Sequence, residues 1–98
     1  MATIPEDRSY SRFELRMAPS AKRVIERLPE AVATAVVEFI TGPLLENPRR
    51  LGKPLLWQLA GYWSARRGAY RVIYAIDEAN LLVLVVRIEH RADVYRAL

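Results

Sequence analysis

The sequence predicts an α+β domain in the order β-α-α-β-β-β, a helical hairpin packed on an antiparallel meander sheet. Three observations carry that expectation. Apolar and charged residues alternate near the start of the chain. Two apolar stripes at helical spacing follow, parted by a single proline. After Leu55 the helical period disappears and three apolar runs succeed one another with few residues between them.

Residues 1–9 are polar, contain Pro5 and show no period, so they read as a flexible lead to a single domain over 10–98. In the stretch YSRFELRMA, Phe13, Leu15 and Met17 face one way and Arg12, Glu14 and Arg16 the other, the signature of a half-exposed strand. Ala18-Pro19-Ser20 ends it and suits a helix's first turn. Ala21, Val24, Ile25 and Leu28 then fall on one helical face, opposite Lys22, Arg23, Glu26 and Arg27. Pro29 interrupts. A second stripe of Val32, Ala35, Val36, Phe39 and Ile40 predicts a helix that stops near Thr41-Gly42-Pro43 or one turn later. ENPRRLGKP reads as a loop holding Arg49, Arg50 and Lys53.

Leu56–Ala65, Ala69–Ile76 and Leu81–Ile88 are the expected strands, broken by Gly68 and by Asp77-Glu78-Ala79-Asn80. Such short breaks require antiparallel neighbours. LLVLVVRI is apolar on both faces, which puts it inside the sheet. Trp57, Tyr62 and Trp63 suit the core or, less often, an interface that a partner covers.

A four-residue loop over 77–80 sets Ile76 opposite Leu81. Arg71 then shares a face with Val86 and Ile88, and Arg67 lies opposite His90 on that same face. Arg67, Arg71 and His90 would converge at one end of the sheet. A bulge or a three-residue loop would shift the register by one and scatter them. Cations gathered in one concavity repel one another unless an anion lies between them, and guanidinium binds phosphate bidentately. The plainer alternative is that these arginines pair with carboxylates at the sheet rim.

The composition bounds the function. Of the 98 residues 52% are hydrophobic and 27% charged, a balance that excludes disorder. A net charge of +4 fits a nucleic-acid or acidic-protein partner. There is no cysteine, hence no disulfide framework, and the single His90 excludes a multi-histidine metal site. No apolar run is long enough for a signal peptide or a membrane span, so a soluble cytoplasmic protein with no membrane partner is expected. In IEHRADVY a group that titrates near neutrality (His90), a fixed cation (Arg91) and a phenol (Tyr95) stand close together. That set suits acid–base chemistry on a phosphodiester, although a lone histidine equally serves as a structural hydrogen-bonder.

RRGAYRVIYAID, followed by an apolar strand and HRADVY, together with RLPE and NPRRLGKPL, resembles the RelE family within the RelE/ParE superfamily of bacterial toxins, over residues 12–96. The resemblance implies a microbial RNase-like fold and ribosome-dependent cleavage of messenger RNA in the A site. It also implies attack by the 2′-hydroxyl with neither metal nor other cofactor, and silencing by a cognate acidic RelB-like antitoxin. On that resemblance Arg71 holds the scissile phosphate, Arg91 is the second phosphate-binding arginine, and Tyr95 matches the family's C-terminal tyrosine. The chain departs from the family at YWSARR, where the best-known member carries lysines. Lys53, Arg66 or Arg67 would supply that charge, and His90 or Tyr95 the proton transfer. Two other functions stay open: a ParE-like inhibitor of DNA gyrase, and a basic binding module without activity.

Overall fold

The computed structural model describes residues 12–91, so the N-terminal lead and Tyr95 lie outside the described residues. Strand β1 (Glu14–Met17) leads into α1 (Pro19–Arg27) and α2 (Glu30–Thr41). Two one-turn helices follow, α3 (Pro43–Glu46) and α4 (Pro48–Leu51), then the short β2 (Lys53–Pro54) and a 3₁₀ turn at Trp57–Leu59. Strands β3 (Trp63–Arg67), β4 (Tyr70–Asp77) and β5 (Leu82–His90) form the meander.

Prolines punctuate the helical part. Pro19 opens α1 from an extended Ala18, where its missing N–H costs nothing. Leu28, directly before Pro29, is extended and closes α1, as the steric demand of a following proline requires. Pro43 starts the one further turn expected after Gly42, and Pro48 starts another, so the expected loop is partly helical. Leu44 and Leu45 are buried from the first of these turns. Burial of a large aliphatic side chain stabilises by roughly 1.5–3 kcal/mol, enough to hold a turn with little propensity of its own.

The sheet order is β1-β5-β4-β3-β2, with β1 parallel to β5 and the other pairs antiparallel. On one face Ala65, Val72, Tyr74, Val83, Val85 and Ile88 pack with Ala21, Val36, Ile40, Leu44 and Leu45 of the helices to form the core. Among the described residues helices cover that face alone, and the opposite face is open around Arg66, Arg71 and Arg87.

The strand expected from Leu56 begins only at Trp63. Before it, Gly61 has φ +99° and Trp57 φ +61°, both incompatible with an extended run. A buried clamp fixes this region: the Tyr74 hydroxyl donates to the carbonyl of Pro48 at 2.6 Å. Gly52 passes so close that an added Cβ would collide with that hydroxyl and lie 2.9 Å from the carbonyl oxygen of Ser64.

The β4–β5 register differs from the expected one in two steps. Asp77 accepts hydrogen bonds from the backbone N–H of Asn80 at 3.2 Å and from its side-chain amide at 2.9 Å. This local turn starts one residue late, so Asp77 rather than Ile76 closes the hairpin, opposite Leu82. That slip keeps every side chain on its expected face. The second step does not. Tyr74 pairs with Val85 but Ile73 pairs with Arg87, which leaves Val86 as a bulge and exchanges the faces of everything beyond it.

Candidate functional site

The bulge at Val86 separates the residues expected to converge. Arg71 pairs with Glu89 in β5 and with Arg66 in β3, and this row lies on the open face. Arg67 pairs with Tyr70, and Tyr70 with His90, on the helix-covered face. The rings of Tyr70 and His90 meet edge to face, 5.0 Å apart at 88°. The expected convergence of Arg67, Arg71 and His90 is therefore corrected: Arg71 stands on one side of the sheet, Arg67 and His90 on the other.

The open face assembles a different set. Next to the Arg66–Arg71–Glu89 row runs a second one, Lys53–Ser64–Ile73–Arg87. Four cationic side chains thus share two adjacent rows with a single carboxylate. Arg66 and Arg71 stand directly opposite each other, an arrangement that like charges make unfavourable without a counter-ion. Glu89 answers part of that charge. Its Oε1 lies 3.5 Å from Nη2 of Arg71, and its Oε2 accepts from Nη1 of Arg87 at 3.0 Å. The side chains of Arg71 and Glu89 are 35% and 20% exposed, so their mutual attraction is only partly screened by solvent.

The rim pairing weighed from the sequence is thus present, but it leaves charge over. Arg71 Nε is buried and makes no hydrogen bond within the described residues. A buried donor without an acceptor costs about 1–3 kcal/mol. Arg91 is exposed one residue beyond His90, with its backbone N–H bonded to the carbonyl of Ala69 at 2.7 Å. What the arrangement can do chemically is bind an oxyanion at Arg71 and Arg66, with Glu89 fixing how the Arg71 and Arg87 guanidiniums point.

Glu89 was missed in the sequence because its face depends on the bulge. The pairing of Glu89 with Arg71 becomes visible only when Val86 is counted out of the ladder. The aromatic run divides between core and surface. Of Trp57, Tyr62 and Trp63, only Trp63 packs against the core. Trp57 is 85% exposed, beside Leu56 at 68% and Leu59 at 41%. A bulky residue held at positive φ and turned to solvent marks a strained surface projection.

Comparisons with known proteins bear on the family and the fold. A family model described as the ParE toxin of the type II toxin–antitoxin system parDE matches residues 15–95. Toxin RelG of Mycobacterium tuberculosis is 46% identical over 84 residues, covering 86% of this chain and 97% of that one. Toxin RelE of the same organism is 50% identical over 84 residues, covering 86% and 87%. The crystal structure of the toxin–antitoxin complex RelBE2 from M. tuberculosis contains a chain that superposes with a TM-score of 0.78 at 44% identity, covering 82% of this chain and 99% of that one. The intact RelBE complex of E. coli contains a chain with the same fold at a TM-score of 0.64 and 18% identity, covering 81% and 95%.

Proposed function

The chain belongs to the RelE family of the RelE/ParE superfamily, the toxins of type II toxin–antitoxin systems, and from that premise we propose that it is an endoribonuclease cutting messenger RNA in the ribosomal A site. The observation that carries this reading is the open sheet face, where among the described residues Arg66, Arg71, Arg87 and Lys53 outnumber Glu89 and Arg71 Nε is buried without an acceptor.

In the proposed reaction a ribose 2′-hydroxyl attacks the adjacent phosphorus and the P–O5′ bond breaks, leaving a 2′,3′-cyclic phosphate and a 5′-hydroxyl. Arg71, with Arg66 beside it, binds the non-bridging oxygens, whose charge grows in the pentacoordinate transition state. Arg91 is assigned the second phosphate contact. One proton leaves the 2′-hydroxyl and one reaches the departing O5′. We assign proton transfer to Tyr95. His90, which stands against Tyr70 on the other face, is assigned a packing role. Arg67 and Lys53 add field at the rim rather than contacts to the scissile phosphate.

The reading also implies a partner and a place of action. An acidic antitoxin would neutralise the arginine face and cover Leu56, Trp57 and Leu59, apolar groups too exposed to serve a monomer. Work on ribosomes places the protein in the cytoplasm; no helix among the described residues is long and apolar enough to cross a membrane.

The test is incubation of the purified protein with translating ribosomes and a defined message. Cleavage within codons is expected, and Arg71→Ala should lower it roughly a hundredfold while the protein stays folded. Full activity in a folded Arg71→Ala protein rejects the assignment. One observation favours a second reading, since the matching family model is described as a ParE toxin. On that reading the message stays intact and DNA gyrase is inhibited.

A further inference from the structure

The geometry points to a nucleobase subsite on the open face: the cleft lined by Leu59, Tyr62, Ile73, Val86 and Arg87 takes the base next to the phosphate held by Arg71. The inference rests on the RNA-cleaving reading and names where the substrate's base goes.

The cleft holds about 210 Å³, which suits one planar ring system. Its floor is Ile73, only 3% exposed although it points away from the helix-packed core. Two backbone hydrogen bonds build one wall. The Tyr62 N–H donates to the carbonyl of Leu59 at 3.0 Å, and the Leu55 N–H donates to the carbonyl of Tyr62 at 2.8 Å. They hold the Tyr62 ring and the Leu59 side chain beside each other. The other wall comes from the bulge, which brings Val86 next to Arg87 instead of alternating them across the sheet. Glu89 holds the Arg87 guanidinium at 3.0 Å, so a planar cation is kept in place beside the cleft.

Position supplies the link to the phosphate. Ile73 and Arg87 form the row immediately next to Arg71 and Glu89. Same-face rows lie about 7 Å apart, the order of the step from a backbone phosphate to its own base. An aromatic ring and a guanidinium plane flanking an apolar floor are the groups on which single-stranded bases stack, and every base has a face to stack. An ordinary core satellite would not need a fixed arginine at its mouth.

The test is an NMR titration of the full chain, reading the Ile73 and Val86 methyls and the Tyr62 ring. The probes are the four nucleoside 3′-monophosphates, ribose phosphate and inorganic phosphate. Nucleotides should move those resonances, whereas ribose phosphate and inorganic phosphate should leave them in place. Tyr62→Ala should weaken nucleotide binding roughly tenfold, and Tyr62→Phe should preserve it. A parent-like, dispersed methyl spectrum of Tyr62→Ala before any addition reports an intact fold. Equal response to phosphate and nucleotides, or parent-like nucleotide binding by Tyr62→Ala, overturns the subsite. Because the titration needs no cleavage, the two readings separate. Base-dependent shifts with an uncut message reject the nuclease and keep the subsite. Cleavage with base-independent shifts does the reverse.

Discussion

At the scale of single residues, Tyr74 shows how one hydroxyl organises a region that carries charge. Burial removes water from the phenol and pushes its pKa from 10.0 up to about 12, since the ionised form is the one that loses solvation. An unfolded chain therefore gives up this proton first. Stability should be constant below about pH 10 on this account and fall as the pH rises toward about 12. Chemical denaturation across that window should show the decline in the parent and a flatter profile in Tyr74→Phe. The phenylalanine variant starts lower by about 1 kcal/mol, the usual net value of one hydrogen bond, because the Pro48 carbonyl loses its donor. The sequence offers Tyr74 only as one more apolar residue in a buried strand; its partner is 26 residues away. Arg71 was legible by contrast, because a cation amid an apolar strand is conspicuous without knowing its register.

Elements were legible where a period runs long enough. The stripes of α1 and α2 and the alternation of β1 were read from spacing alone, and Pro29 and Gly68 mark real breaks. The turn α4 was not, since four residues hold no period, and α3 showed only as one further turn after Gly42; their stability comes from Leu44, Leu45 and the Tyr74 clamp. The β5 register failed for a related reason. LLVLVVRIEH is apolar almost throughout, so nothing in it shows that Val86 leaves the ladder. Two substitutions probe these connections. Gly52→Ala should destabilise by about 1–3 kcal/mol, as overpacking does, because the new methyl meets the Tyr74 hydroxyl and the Ser64 carbonyl; thermal melting checks it. Leu81 ends the β4–β5 loop at φ +54° with its side chain 39% exposed. Leu81→Gly should raise stability by up to about 1 kcal/mol by relieving left-handed strain, less whatever apolar contact is lost.

For the whole molecule, segregation of charge is the property that matters. Among the described residues, one face of the sheet is packed by helices and the other carries Lys53, Arg66, Arg71 and Arg87. Binding of a non-cleavable single-stranded RNA should weaken with salt, and the log–log slope should flatten by about 0.7 for each phosphate-contacting arginine removed. Arg66→Ala is the informative variant, since Arg66 has no carboxylate opposite it in the ladder. A slope unchanged from the parent would show that this face does not meet the RNA backbone. The order of the strands has a consequence in time. β5, the last described strand in chain order, lies between β1 and β4 and is the partner that joins them. Without residues 82–90 the sheet is parted into β1 and the β2–β3–β4 ribbon, and Arg71 has neither Glu89 nor Arg87 beside it. The charged face is therefore finished only when β5 docks between its two neighbours.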